Sequence, residues 1–176
     1  MSRIICLALL GAIALPSTAQ TLKPTQRFSV SAGSFLPGGS ENDRHAHTSF
    51  TYWPGFRNGA VTGLASIYLD TNRHKTVTGT GTTAVTKVTA TQGLGLCLKG
   101  NLLPMTSPGI YQIAGIGLYQ RRVSQGTVHS SGYSPGGKFG VGYLKNSVFV
   151  EADYTVVGRI KNNDPSGLGL RVGVRF

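Results

Sequence analysis

The stretch GLGLRVGVRF, residues 167–176, alternates apolar residues with glycine and arginine without a break. Successive side chains of a β-strand point to opposite faces, so one face here is wholly apolar and the other carries only glycine and arginine. A strand of a soluble sandwich would place bulky polar side chains on its second face. The alternation therefore favours a strand of a narrow closed barrel, with lipid outside and a crowded polar lumen inside.

The same period of two recurs earlier in the chain, and in five of the eight segments glycine lies on the face opposite the apolar one. Glycine is disfavoured in strands, so its repetition on one face indicates a lack of space there. An eight-stranded barrel is only wide enough to be filled by side chains. The predicted strands are 27–36, 45–53, 60–70, 85–99, 109–122, 136–144, 147–157 and 167–176.

The connections between these segments alternate between longer polar links and generally shorter ones. The longer links are PGGSENDR, TNRHKTVTGTGTTA, VSQGTVHSSGYSP and GRIKNNDPS, and the shorter ones are PGFRNG, GNLLPMTSP and KNS. Up-and-down membrane barrels have short turns on one side, longer loops on the other and an even number of strands. We therefore predict an all-β fold, an eight-stranded antiparallel up-and-down transmembrane β-barrel.

The N-terminal stretch MSRIICLALLGAIALPSTAQ has the composition of a secretory signal peptide. Arg3 supplies a basic start, residues 4–15 are apolar, and residues 17–19 are small. The apolar run is shorter than the ~20 residues that a membrane-spanning helix needs. We predict a cleaved signal peptide over 1–19 and one barrel domain over 20–176. Cys97 is then the only cysteine of the domain, which excludes an internal disulfide.

The chain is strongly basic, with a formal charge of +11 at pH 7. Such a balance is also found in proteins that bind nucleic acid, but the predicted export signal argues against that partner. The better candidates are phosphate-bearing lipid headgroups outside the barrel and charges inside its lumen.

Residues 147–157 place Glu151 and Asp153 on one face of a strand. Paired carboxylates can divide acid and base roles in catalysis. Here a hairpin in which residue 157 faces residue 167 would set Asp153 opposite Arg171, with Glu151 diagonal to it. Buried charges without partners are very costly, so we predict a structural ion-pair network in the lumen and no catalytic site. Its predicted members are Glu151, Asp153, Arg171, Arg175, Lys138 and Arg27, and Lys99 and Arg121 share the inward face.

The histidines offer the best candidates for a metal site. His45 and His47 lie two residues apart, so in a strand they would share a face. Their spacing to other ligand types matches no zinc signature, and the serines and histidines of the loops form no recognisable catalytic motif. We predict no metal and no cofactor.

The segments GIYQIAGIGLYQRR, GGKFGVGY, VFVEADYT and GLGLRVGVRF, taken in order, resemble the small bacterial outer-membrane β-barrel proteins of the OmpA/OmpX type. The resemblance implies a bacterial outer-membrane location, a non-enzymatic structural, envelope or surface-interaction role, and a protein that is monomeric. It also implies that Val172, Val174 and Phe176 form a C-terminal signal for the barrel assembly machinery.

Two other readings of an eight-stranded barrel remain open. An outer-membrane lipid-modifying acyltransferase would need Ser, His and Asp converging at the outer rim and an apolar cavity for an acyl chain. A secreted lipocalin-like carrier would have its apolar face inside.

Overall fold

The computed structural model describes residues 27–38, 44–53, 65–78, 84–100, 109–161 and 164–176. The predicted signal peptide, residues 1–19, lies outside them. Among the described residues no helix is long and apolar enough to cross a membrane.

Eight antiparallel strands form a closed barrel in which each strand pairs with its neighbours in sequence. The fold class is therefore the predicted one. The strands are β1 (Phe28–Pro37), β2 (His45–Tyr52), β3 (Ala65–Thr78), β4 (Val85–Gly100), β5 (Ile110–Gln125), β6 (Val128–Lys145), β7 (Val148–Val157) and β8 (Gly167–Arg175).

The barrel closes between its first and last strands. Val30 pairs with Val174 in the β1–β8 ladder. The Phe28 N–H donates to the Phe176 carbonyl (2.8 Å), and the Phe176 N–H donates back to the Phe28 carbonyl (2.9 Å). Both chain ends therefore lie at one end of the barrel, which we call the terminal end. The opposite end, where β1–β2, β3–β4, β5–β6 and β7–β8 are connected, is the loop end.

The outer wall of the barrel is apolar. In β8 buried and exposed residues alternate without exception, and the exposed ones are Leu168, Leu170, Val172 and Val174. Leucine, isoleucine and phenylalanine residues of β2–β6 are exposed in the same way, including Phe50, Leu69, Leu94, Leu96, Ile116, Leu118 and Phe139. A continuous apolar surface of this kind is the lipid-facing band of a membrane barrel.

Aromatic side chains gather on the wall at the terminal end. The Phe28 ring stacks on Tyr52 with centroids 5.1 Å apart, and it lies 6.2 Å from Phe176. Interfacial aromatic side chains are typical of both ends of a membrane-spanning band. Trp53 lies nearby in sequence but points inward and is buried.

The barrel is taller on one side than the sequence predicts. β3–β6 are 14 to 18 residues long, whereas β1, β2, β7 and β8 have 8 to 10. The predicted long link between the fifth and sixth strands is instead continuous ladder up to the pair Gln125–Val128. Gly126, at φ +57°, provides the left-handed residue of the tight turn.

Inward glycines make room for inward aromatic rings. Five inward rings each face a glycine directly across the ladder: Phe35 and Gly169, Tyr68 and Gly95, Tyr111 and Gly142, Tyr119 and Gly93, and Phe149 and Gly173. A Cβ atom at Gly93 would come within 2.6 Å of the Tyr119 ring. The repeated glycine noted in the sequence therefore reflects large side chains packed across a narrow lumen.

Candidate functional site

The centre of the lumen holds a cluster of charged side chains built around Arg171 of β8. Its Nη2 donates to Glu151 Oε2 (2.9 Å) and to Asp153 Oδ2, both on β7, and its Nη1 donates to Asp70 Oδ1 of β3 (3.3 Å). All four side chains are buried. One guanidinium therefore serves three carboxylates, using the planar set of donors that only arginine offers.

Two lysines complete the ion pairing. Lys99 Nζ of β4 donates to Glu151 Oε1 (2.5 Å), and Lys138 Nζ of β6 donates to Asp70 Oδ2 (2.7 Å). Tyr111 on β5 also donates its hydroxyl to Glu151 Oε1 (2.7 Å). Three carboxylates and three cations thus balance in charge, as buried ionic groups must if their desolvation is to be offset.

His47 of β2 joins the cluster through Arg171. The distance from Arg171 Nη1 to His47 Nε2 is 3.3 Å. Because a guanidinium can only donate, His47 Nε2 is the acceptor in this contact. His45, its partner in the candidate metal site, instead stacks on His74 with ring centroids 4.8 Å apart. The structure therefore directs the two histidines to different neighbours.

A second polar contact lies beside the cluster, towards the loop end. The hydroxyls of Tyr68 and Tyr119 are 2.8 Å apart, and Lys138 Nζ lies 3.8 Å from the centroid of the Tyr68 ring. The ammonium thus sits between the Asp70 carboxylate and an aromatic face.

The predicted network residues fall into three groups. Glu151, Asp153, Arg171 and Lys138 are buried and share the contacts given above. Arg175 is buried further towards the terminal end, where its guanidinium carbon lies 4.5 Å from the centroid of the Trp53 ring. Arg27 is a correction: it precedes β1 and is exposed, because the inward-facing parity of the strand does not continue into a lumen at that level.

The predicted register of the β7–β8 hairpin is wrong by two residues. Thr155 faces Gly167, so Glu151 lies directly opposite Arg171 and Asp153 is the diagonal neighbour. The reason is a longer connection, in which the Ser166 hydroxyl contacts the backbone of Val157 and the Ser166 N–H donates to Asp164 Oδ1 (2.9 Å). This hydrogen bond lowers the pKa of the Asp164 carboxyl. A shift of two keeps every side chain on its face, so the inward assignments stand.

Asp70 and His47 are functional residues of the cluster that the sequence reasoning did not include. Both lie in segments, β2 and β3, whose alternation is interrupted by polar residues on the outward face, such as Thr48 and Thr71. The usable signal was charge balance, because two inward acids are too few for the inward cations.

The ion pairs connect strands that are not neighbours in the sheet. Asp70 of β3 is held by residues of β6 and β8, and Glu151 of β7 is held by Lys99 of β4. In the closed strand order each of these strand pairs is separated by two intervening strands. The cluster therefore ties opposite parts of the wall together across the lumen and fills its middle with side chains.

Valine at Gly142 should destabilise the barrel by about 1–3 kcal/mol, the usual cost of overpacking. A Cβ at this position would lie within 2.6 Å of the Tyr111 ring, which could then no longer reach Glu151. Valine favours strands, so intrinsic propensity alone predicts the opposite sign. Urea unfolding followed by gel mobility measures the change.

The matched background for this test is Tyr111→Ala, which removes the ring. Gly142→Val should cost much less in that background, since the collision is gone. An equal cost with and without the ring would show that the glycine is needed for another reason.

Comparison with solved structures places this barrel among known ones. The Ail attachment invasion locus protein of Yersinia pestis, crystallised with the heparin analogue sucrose octasulfate, matches with a TM-score of 0.57 at 10% identity, over 86% of this chain and 97% of that one. The N-terminal β-barrel domain of Pseudomonas aeruginosa OprF matches with a TM-score of 0.56 at 13% identity, over 86% and 98%. The chain has the fold of the small outer-membrane β-barrels.

A third barrel of this fold, Neisserial surface protein A, gives a TM-score of 0.52 at 18% identity and covers 84% of this chain and 94% of that one. No protein-family model and no curated protein sequence matches the chain. Within the outer-membrane barrel fold, the distinctive parts of this chain are its own lumen cluster and its tall β3–β6 wall.

Proposed function

We propose that the protein is a non-enzymatic integral β-barrel protein of the bacterial outer membrane, with a structural, envelope or surface-interaction role. The observation that carries the proposal is the division of the barrel into an apolar outer wall and a lumen filled by paired charges. Such a body is stable only where lipid covers the wall. Its use to the cell then lies in what its loop end and outer wall contact.

The alternative of an acyltransferase is disfavoured by the contents of the lumen. Such an enzyme needs an apolar cavity for an acyl chain, and the equivalent space here contains Arg171, Lys138 and three carboxylates. A lipocalin-like carrier is disfavoured because its apolar face would point inward. The inward face of this barrel is polar at most of its buried positions.

We assign the predicted assembly signal to the outward face of the last strand. Val172 and Val174 are exposed on the wall of β8, and Phe176 follows them on the same face. An apolar, outward-facing edge of this kind could be read before β1 and β8 join, since their pairing then covers the backbone of the last strand. After closure the barrel has no free sheet edge over this region, in keeping with a monomer.

The test is folding with and without an amphiphile. The chain from residue 20 is unfolded in urea and diluted into phosphatidylcholine vesicles or into buffer alone, and folding is followed by the change in gel mobility that heating reverses. We expect a compact, heat-sensitive band only with vesicles. A soluble, folded protein in buffer alone would overturn the proposal and return attention to the interior as a carrier site.

A further inference from the structure

The outer wall of β3–β6 carries an ordered set of polar residues just above its apolar band, towards the loop end. Leu69, Leu94, Leu118 and Pro135 are paired in one row across the four strands. Two residues further along each strand lies a second row, and two residues beyond that a third. The second row is Thr71, Gln92, Gln120 and Tyr133, and the third is Arg73, Ala90, Arg122 and Ser131.

Arg73 and Arg122 flank the small side chain of Ala90 in the third row. Both arginines are exposed, and all three residues have the outward parity of the apolar row beneath them. β3 and β5 are two strand spacings apart, so the two arginine backbones are separated by roughly 10 Å. Two long side chains can converge over such a gap, with only a methyl group between them.

The Arg122 side chain bends down the wall towards the apolar band. Its Nε donates to Gln120 Oε1 (2.9 Å), and Gln120 Nε2 in turn donates to the Tyr133 hydroxyl (2.5 Å). The guanidinium is therefore held beside the second row and not extended towards the loop end. It lies about one row, or roughly 7 Å along the strand, above the leucines.

Charge on this wall has a single sign. Among the described residues of β3–β6 the only carboxylate is Asp70, which is inside the lumen and paired with Lys138 and Arg171. A ligand at the arginine row therefore meets cations above and exposed leucines directly below. The matching chemistry is an anionic headgroup joined to apolar chains.

We propose that Arg73 and Arg122, with Gln92 and Gln120 below them, form a binding site on the outer wall for a phosphate-bearing lipid of the surrounding leaflet. The phosphate accepts hydrogen bonds from the two guanidinium groups over Ala90, and the acyl chains lie along Leu94, Leu118, Leu96 and Ile116. The site rests on the proposed function, because it exists only if lipid covers the wall. It adds a specific location and a phosphate requirement to that proposal.

The experiment measures lipid binding to the folded barrel in a neutral detergent by native mass spectrometry. Phosphatidic acid and phosphatidylcholine are titrated separately. We expect phosphatidic acid to bind more tightly, and the double variant Arg73→Gln/Arg122→Gln to bind it about 30-fold more weakly, given the usual contribution of an arginine near an anionic lipid surface. Ala90→Glu, which sets a carboxylate between the arginines, should abolish the preference for phosphatidic acid.

The matched control is Lys145→Gln/Arg159→Gln, which removes two exposed charges elsewhere on the barrel. It should leave phosphatidic acid binding nearly unchanged. Equal loss in this control would mean that net charge alone attracts the lipid, and equal binding of the two lipids would show that no phosphate site exists. Either result overturns the inference.

Glycerol 3-phosphate, which has the headgroup without acyl chains, distinguishes a lipid from a free phosphate ester. We expect it to bind far more weakly than phosphatidic acid, and equal affinity would overturn the assignment to a lipid. A barrel that folds in vesicles but shows no phosphate preference refutes only this inference. A chain that folds without any amphiphile refutes the proposed function itself.

Discussion

Methionine in place of Arg171 is expected to lower the free energy of unfolding by about 3–5 kcal/mol, the cost of removing one partner from a buried ionic group. Arg171 is the only side chain that contacts all three described lumen carboxylates, Asp70, Glu151 and Asp153. Methionine has a similar length and no charge, so little of the loss comes from an empty volume. Two cations would then remain for three buried acids.

The electrostatic part of this loss can be separated by adding Asp153→Asn. Asp70 would still be paired with Lys138 and Glu151 with Lys99, so the cluster is again balanced in charge. Arg171→Met should therefore cost less in the Asp153→Asn background than in the parent protein. The difference between the two costs is the coupling energy of a double-mutant cycle, measured by urea titration of vesicle-inserted protein.

Arg175→Met provides the control on the same strand and the same face. Arg175 is also buried, but its contact within the described chain is with the Trp53 ring and not with a carboxylate. We expect a smaller loss than for Arg171→Met. If the two variants lose the same stability, or if Arg171→Met unfolds at the parent's urea concentration, the lumen cluster does not hold the barrel together as described.

The wall of the barrel was predictable because lipid and lumen impose opposite demands on alternate residues. In β8 and β4 every outward position near the middle is leucine or valine and most inward ones are glycine, so a period of two is visible without any structure. The same physics gives the closed, even-stranded topology, since an open edge in lipid would leave backbone groups unsatisfied.

The upper parts of β5 and β6 were not predictable by this rule. Residues 128–135, VHSSGYSP, lie above the apolar band, where both faces of the sheet meet polar surroundings. Alternation then disappears although the ladder continues, as in the pairs Arg122–Ser131 and Ser124–His129. A strand without a buried face has the composition of a loop.

The site was predictable as a class of interaction but not as a set of pairs. Period-two reasoning assigns a face and leaves the register open in steps of two, which is why Glu151, and not Asp153, lies opposite Arg171. It also says nothing about which strands meet across the lumen. The contacts of Asp70 with Lys138 and Arg171 depend on the closed shape of the barrel.

Arginine in place of Leu96 is expected to cost about 2–4 kcal/mol of folding free energy in phosphatidylcholine vesicles, as for a cation at the bilayer midplane. Leu96 is 60% exposed on the outer wall, and its ladder neighbours on that face, Ile67 and Ile116, are exposed too. No described acid lies on this wall to pair with the new charge. The fraction of heat-sensitive band at increasing urea concentration measures the loss.

Gln92→Arg is the matched control, because Gln92 lies on the same face of β4, four residues nearer the loop end, and is already exposed and polar. An arginine there reaches the membrane surface, where such substitutions cost about 0–1 kcal/mol. The predicted difference between positions 96 and 92 is thus a depth effect that exists only in a bilayer. In water both arginines would be exposed surface residues with similarly small effects. Equal folding of the two variants would therefore contradict a membrane-spanning wall, whatever the shape of the barrel.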